Sequence, residues 1–425
     1  MTKCEVSGNE IKRLIRKFYK ESMQKRRKQT DIVIPLSIPS FDWEEIFEAL
    51  DSLLTTNVTM GTKVKLFEKT FSEYLGIRNA IMVNSGSSAN LIALYLLSNP
   101  TLEKKCKVRD EIIVPAVTWS TTIFPIINVG AIPVLVDVNL DDFSIKIDDI
   151  EEAITEKTKV IIPVHLLGFP CDMERITRIA RNYSLFIVED ACEAHGAEWN
   201  GKKVGTFGDV GTFSFFFSHH ITTIEGGMLV TNNEEYAELA KVLRAHGWIR
   251  ELRNREEIIH QYQFIDPRFL FVNMGFNVRP TEIQGAFGIH QIKKLEKFIK
   301  VRRENSKYWN DELSKFSDYF ILHEEKKQRA VWFGYPLTIK PSSPFTRGEL
   351  TRYLESRGIE TRPIAAGNMD EQPAMRLFKY RKVGELSNAR LIMRNSFFIG
   401  NHQGVGERER EYFVSTIKEF IRDRG

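Results

Sequence analysis

The chain has 425 residues, 42% of them hydrophobic and 27% charged, which is ordinary for a globular protein and long enough for two domains. Its net charge of +4 conceals a split, because residues 1–30 carry +7 and the remainder −3, so the body has no broad basic footprint for nucleic acid. No run of about 18 apolar residues could span a bilayer and the start lacks the apolar segment of a signal peptide; the cytoplasm is the expected location, and neither nucleic acid nor membrane is an expected partner.

In chain order, the basic segment "EIKRLIRKFYKESMQKRRK" within residues 1–30 reads as an accessory helix or arm, although its charge also suits RNA, phospholipid or a protein partner. From about residue 78 a strand–helix alternation sets in. Short apolar runs predict strands at "AIMVN", "EIIVPA", "IPVLVDV", "VIIPVHL", "LFIVED", "GTFSFFF" and "GMLVTN", and amphipathic segments such as "IDDIEEAITEK" and "DMERITRIARNY" predict helices between them. Strands this apolar are covered on both faces, so the expected fold is α/β with a mostly parallel sheet over residues 31–294. Ligands in such sheets gather at the C-terminal strand ends. Beyond about residue 290 one or two long helices lead into a smaller α+β part, giving an expected second domain at 295–425.

Three strand ends carry chemistry. In "NSGSSANLIALYLL", Gly86 and Ser87 open a helix after a strand, which suits a phosphate monoester, although Ser-Gly before a helix is also a plain cap. "LFIVEDACEAHGA" ends a buried strand in Glu189 and Asp190, where a carboxylate could hold a ribose, a metal or a protonated ring nitrogen. Trp119 in "VPAVTWSTT" is either a stacking platform for a flat ring or a core aromatic. Cys4, Cys106, Cys171 and Cys192 are scattered, with no spacing suited to zinc or an iron–sulfur cluster, so no metal is expected.

Together with "TMGTKVKLFEKTFSEYLG", "PVHLLGFPCDM", "GTFGDVGTFSFF", "EGGMLVT", "GFNVRPTEIQGAFG" and "GNHQ", these blocks resemble the DegT/DnrJ/EryC1/StrS family of sugar aminotransferases and dehydratases from about residue 33 onward. The resemblance implies the fold type I, aspartate-aminotransferase fold and a pyridoxal or pyridoxamine 5′-phosphate cofactor. It places Gly86, Ser87 and Ser214 at the cofactor phosphate, Trp119 on the ring, Asp190 at the pyridine nitrogen and Glu193 at the ring hydroxyl, sharing its proton. Asn277 would reach the phosphate of a second subunit, since family sites lie at a homodimer interface. His246, Arg250 and Arg362 are expected anion contacts for L-glutamate or the nucleotide diphosphate, and His165 and His195 are expected to stand behind the first residues.

One departure decides the reading. Family aminotransferases carry a lysine that tethers the cofactor at the position of His219 in "SFFFSHHITTIEGGM"; the nearest upstream lysines, Lys202 and Lys203, sit in a separate "NGKK" turn. Imidazole has no primary amine, yet with a reference pKa near 6.5 it is roughly three-quarters neutral at pH 7 and carries protons well. The replacement resembles the sugar 3-dehydratases, and "RAHGW", "SHHITT", "NVRP" and "GNHQ" resemble in particular the cluster-free GDP-4-keto-6-deoxy-D-mannose 3-dehydratases. The implied activity is a dehydration that turns a nucleotide-linked 4-keto-6-deoxy hexose into a 4-keto-3,6-dideoxy sugar and ammonia, with His219 as base and L-glutamate restoring the amine. Three alternatives stay open: an aminotransferase-like enzyme, the same dehydration on a CDP or dTDP sugar, and a non-catalytic cofactor-binding homologue. The role of His220 is open.

Overall fold

The computed structural model describes residues 8–28, 31–323, 325 and 327–424, so Cys4 lies outside the described residues. Helices α1 (Gly8–Lys28), α2 (Trp43–Leu54) and α3 (Thr62–Leu75) come first. An alternation follows: β1 (Asn79–Val83), α4 (Gly86–Leu97), β2 (Glu111–Pro115), α5 (Ser120–Asn128), β3 (Ile132–Val136), α6 (Ile147–Ala153), β4 (Thr158–Ile161), α7 (Met173–Asn182) and β5 (Phe186–Asp190). A hairpin of β6 (Glu198–Trp199) and β7 (Lys202–Lys203) precedes β8 (Val210–Ser214), β9 (Gly227–Thr231), α8 (Glu234–Arg244), α9 (Arg255–Gln261) and α10 (Glu282–Leu313). The rest comprises β10 (Phe320–Ile321), β11 (Gln328–Arg329), β12 (Gly334–Ile339), α11 (Arg347–Ser356), β13 (Thr361–Pro363), β14 (Arg381–Lys382), α12 (Ser387–Asn395), β15 (Ser396–Gly400) and α13 (Glu407–Arg422).

Eight strands form one sheet in the order β1-β9-β8-β5-β4-β2-β3-β14. Only β9 runs antiparallel to its neighbours; from β8 to β14 every pairing is parallel. Strands β2, β5, β8 and β9 are buried along their whole length. That explains why their sequences are apolar without alternation, helices and loops covering both faces. Because β1, β2, β4, β5 and β8 point the same way, the chain leaves them at one edge of the sheet. The run "GTFSFFF" does not stay in the sheet to its end: β8 stops at Ser214, and Phe216 is exposed.

The smaller sheet, β10-β12-β15-β13, is antiparallel and packs Tyr335, Phe397 and Ile399 against Trp309, Phe413 and Phe420. Residue 295, the expected boundary, lies inside the 32-residue α10. The division is crossed repeatedly: among other contacts, β14 joins the edge of the large sheet beside β3, β11 pairs with β6, and Ile34 sits in the core of the smaller sheet. Two-residue strands carry too little pattern to be seen in a sequence.

Helix α10 also ties down the front of the molecule. Gly61 gives α3 no side-chain cap. The buried Glu282 carboxylate supplies it, accepting from the backbone N–H groups of Gly61 (2.7 Å), Lys63 (2.7 Å) and Val64 (3.2 Å). Helix α1 packs on α2. Its Ile11, Ile15, Tyr19 and Met23 are half-buried at four-residue spacing, and the Tyr19 hydroxyl donates to the Phe41 carbonyl at 2.6 Å. Among the described residues, no helix is long and apolar enough to cross a membrane.

Candidate active site

A cleft of about 740 Å³ opens at the C-terminal ends of the parallel strands. One wall begins where β1 ends. Ser85 caps α4, its hydroxyl accepting from the Ser88 N–H at 3.1 Å. Gly86 follows because nothing larger fits: a Cβ there would lie 2.5 Å from the Ser214 Cβ and 3.1 Å from the Cys192 sulfur. Gly227 is equally constrained, with the Ser85 carbonyl 2.2 Å from where its Cβ would be. The Ser87 hydroxyl donates to Thr121 at 2.9 Å. Small residues, hydroxyls and the start of a helix thus converge at one point, a ready place for a phosphate.

Asp190 ends β5 and is nearly buried, facing the cleft. Its Oδ2 accepts from Asn90 Nδ2 (2.9 Å) and Thr122 Oγ1 (2.8 Å), and its Oδ1 from the Cys192 N–H (3.2 Å). These donors are themselves held, since Thr212 donates to Asn90 Oδ1 at 2.6 Å and Thr118 to Thr122 at 3.0 Å. All are neutral, and no basic side chain pairs with Asp190 among the described residues. A buried carboxylate with only neutral donors is suited to receive a cationic N–H from the cleft, which fits a protonated pyridine ring. Glu189 turns the other way and does structural work. It accepts from the backbone N–H groups of Gly205, Phe207 and Gly208 and pairs with His165 Nε2 at 3.2 Å. His165 Nδ1 accepts from the Cys171 N–H at 3.1 Å, so the ring proton is on Nε2.

Glu193 accepts from the Leu167 N–H at 2.8 Å, and burial, reinforced by the charge of Asp190, pushes its carboxyl up to about 7. Trp119, which precedes α5, is 58% exposed at the cleft. That rules out a core aromatic and leaves its ring face open for stacking. Ser214 lines the floor where β8 ends, and Arg362, on β13, lines the side with Phe333 and Phe398.

His219 lies in the loop between β8 and β9, its backbone N–H donating to the Phe216 carbonyl at 3.0 Å. Gln291 of α10 accepts from the Thr222 N–H at 3.1 Å, and Gln284 donates to the Glu225 carbonyl, fixing the loop to that helix. Burial, with the nearby Arg302 guanidinium adding to it, holds the His219 ring down at about 3, so it stays neutral at physiological pH. Among the described residues, no lysine lines the cleft. Lys202 lies over Phe207 and Lys203 over Tyr74 instead.

Gly86, Ser87, Trp119, Asp190, Glu193, Ser214, His219 and Arg362 are therefore brought together. Asn277, His246 and Arg250 are not: within one chain they stand apart from this cleft. Asn277 and Arg250 line a separate depression of about 390 Å³ with Trp248 and Arg279. There the Arg250 guanidinium covers the Trp248 ring at 3.8 Å, and His246 meets that ring edge-on at 4.7 Å. The sequence reading missed Asn90, Thr122 and Arg302. Asn90 had a signal, a polar residue between Ala89 and Leu91 one turn into a helix that starts at the cleft; Thr122, after Ser120 and Thr121, and Arg302, in a run of charges, had none.

A family model described as "DegT/DnrJ/EryC1/StrS aminotransferase family" matches residues 40–418, beginning beyond α1. The chain is 44% identical over 380 residues to a GDP-4-keto-6-deoxy-D-mannose 3-dehydratase of Yersinia pseudotuberculosis, covering 88% of this chain and 95% of the relative. Among solved structures it is similar to the E. coli GDP-4-keto-6-deoxy-D-mannose 3-dehydratase with bound hydrated PLP, at a TM-score of 0.85 and 39% identity, over 91% of this chain and 99% of the other. A second structure, GDP-4-keto-6-deoxymannose 3-dehydratase with a trapped PLP–glutamate geminal diamine, matches with a TM-score of 0.84 and 39% identity, over 90% and 99% of the two chains. The protein belongs to the DegT/DnrJ/EryC1/StrS aminotransferase family and has the fold of its pyridoxal-phosphate-dependent members.

Proposed function

We propose that this protein is a 3-dehydratase that uses pyridoxamine 5′-phosphate, with GDP-4-keto-6-deoxy-D-mannose as substrate, a 4-keto-3,6-dideoxy sugar and ammonia as products, and L-glutamate as the amine source that restores the cofactor. The observation that carries it is a cleft lined by Gly86, Trp119 and Asp190 with a neutral histidine, His219, and, among the described residues, no lysine on its walls. The relatives named above, one of them holding a PLP–glutamate adduct, support the substrate and the amine donor.

When bound, the cofactor would supply the amine that condenses with the 4-keto group and an electron sink for the dehydration. The protein's own residues do the rest. Gly86, Ser87, Ser214 and the start of α4 hold the phosphate, Trp119 covers one ring face, and Asp190 keeps the ring nitrogen protonated. Glu193, poised near neutrality, shares a proton with the ring hydroxyl. His219, neutral and untethered, takes the C4′ proton as general base. Asn277, His246 and Arg250 act in the cleft of a second subunit, so that two copies share their sites across a homodimer.

Incubating the protein with pyridoxal phosphate, glutamate and GDP-, CDP- or dTDP-linked 4-keto-6-deoxy sugars decides the matter. Ammonia and a GDP sugar lacking one oxygen are expected, and an accumulating amino sugar would overturn the reading. Mixing His219→Asn with Arg250→Ala protein tests the shared site: the mixture is expected to be clearly more active than either parent alone.

A further inference from the structure

The loop that carries His219 and the strap of chain that leads into α2 meet on one side chain. Gln291, on α10, is fully buried, and all four hydrogen-bonding positions of its amide are filled. Its Oε1 accepts from the Ser40 hydroxyl at 2.7 Å and from the Thr222 N–H at 3.1 Å. Its Nε2 donates to the Ser40 carbonyl at 3.0 Å and to Glu45 Oε1 at 2.7 Å. Only one orientation of the amide allows this, because the Thr222 N–H needs an acceptor and the Glu45 carboxylate needs a donor. Glu45 is fixed in turn. It is buried, accepts from the Asp42 N–H at 2.9 Å, and takes the Lys294 ammonium on both oxygens at 2.7 and 2.8 Å. Satisfied networks of this kind hold their members in one geometry.

The two segments so joined border the cleft from different sides. Thr222 closes the neck of the His219 loop: its hydroxyl donates to the Phe215 carbonyl at 3.0 Å, and the Thr223 N–H donates to the same carbonyl at 2.9 Å. His220 gives the loop a second hold, its Nε2 donating to the Val331 carbonyl at 2.7 Å. On the other side, Ser40 ends the strap whose Leu36 and Ser37 line the cleft. That strap runs beside the start of β13, which carries Arg362. The Leu36 N–H donates to Glu360 Oε2 at 2.8 Å, and the Glu360 N–H donates to the Ile34 carbonyl at 2.9 Å. Gln291 itself does not line the cleft, so it acts on the site only through what it holds.

We infer that Gln291 is a positioning residue that keeps His219 and the Leu36–Ser37 wall at a fixed separation. Its arm to Thr222 governs turnover, and its arm to Ser40 governs how the nucleotide sugar seats against the strap. The inference rests on His219 being the base, so one of its readouts uses no substrate.

Gln291→Leu keeps the buried bulk and removes all four bonds. In the full-length protein it is expected to lower kcat about 100-fold, the cost of a misplacement near 1 Å, with pyridoxal phosphate affinity within about twofold of wild type. Ser40→Ala deletes one donor and leaves the Thr222 bond in place. It should raise KM for GDP-4-keto-6-deoxy-D-mannose about three- to tenfold, the scale of one neutral hydrogen bond, with kcat within about twofold. Carbethoxylation of His219 by diethyl pyrocarbonate, followed by peptide mass spectrometry, reads the loop without turnover. Labelling should be about tenfold faster in Gln291→Leu, whose loop has lost one hold, and unchanged in Ser40→Ala. A Gln291→Leu protein with a native circular dichroism spectrum and wild-type kcat or labelling overturns the inference. An unaltered KM in Ser40→Ala does the same, and it decides alone where Gln291→Leu does not fold. If labelling responds as expected but the wild-type protein dehydrates no nucleotide sugar, the mount stands and the proposed function falls.

Discussion

The two walls of the cleft are built on opposite rules. Around Asp190 every carboxylate oxygen has a donor, and the donors are held by further hydroxyls. Around His219, both ring nitrogens of His195 and the Nδ1 atoms of His219 and His220 find no protein partner among the described residues, and a buried arginine keeps the site hostile to added positive charge. A fully satisfied polar network is rigid and holds a fixed charge state. A neutral imidazole keeps a lone pair that can accept a proton. One wall is made to grip, the other to exchange.

The largest test of that contrast is at the exchanging wall. His219→Asn should leave cofactor binding intact and lower turnover by about 10²–10⁴-fold, the usual worth of a general base; cofactor titration and steady-state kinetics would separate the two effects. His219→Lys should convert the wall to a gripping one, giving a borohydride-reducible adduct with pyridoxal phosphate on this loop by mass spectrometry and no dehydration. Wild-type protein should give no such adduct, and finding one would remove the basis of the contrast.

On the gripping wall, Asp190→Asn keeps shape and removes charge, and should weaken pyridoxal phosphate binding roughly 10- to 100-fold, in line with a hydrogen bond to a charged group. An unchanged affinity would mean that Asp190 does not meet the ring nitrogen. Gly86→Ala, with its new methyl 2.5 Å from Ser214, should cost about 1–3 kcal/mol by overpacking and show as a lower urea midpoint.

One pH window should also separate the walls, with opposite signs. His219 is held at about 3, and His323 and His402 at about 4, all by burial. The unfolded chain protonates these rings near 6.5, so it gains protons the native state refuses, and stability is lost as pH falls from about 6.5 toward 4. Glu193, raised to about 7, behaves in reverse: its native form keeps a proton that the unfolded chain releases above about 4.5, so its contribution to stability is lost as pH rises from about 4.5 to 7. In thermal melts the two effects oppose each other between about pH 4.5 and 6.5, and Glu193→Gln should steepen the gain of stability with pH across that window.

The gripping wall was largely legible in the sequence, because its parts are local. A strand, a small residue and a helix start read together in "NSGSSAN", and Asp190 closes an unmistakable apolar run. The exchanging wall was legible only at His219. Its other members are residues 195, 220, 302 and 331, and folding alone joins them; a histidine next to an alanine or an arginine in a charged helix carries no local mark. The strand Arg381–Lys382 was hidden for the same reason, since two residues carry no pattern that would join them to a sheet whose other strands all lie before residue 232.

Helix α10 sets a rule for how this chain can change in length. It caps α3 with Glu282, steadies the histidine loop with Gln284 and Gln291, and lodges Arg302 against three carbonyls. Each added residue in a helix rotates everything beyond it by about 100°. A single insertion between Gln291 and Arg302 would therefore swing the guanidinium out of its pocket while leaving the loop attached. Insertions and deletions among homologues that keep a working cleft are thus expected in the surface connections on either side of α10, and between those two residues the count should stay constant.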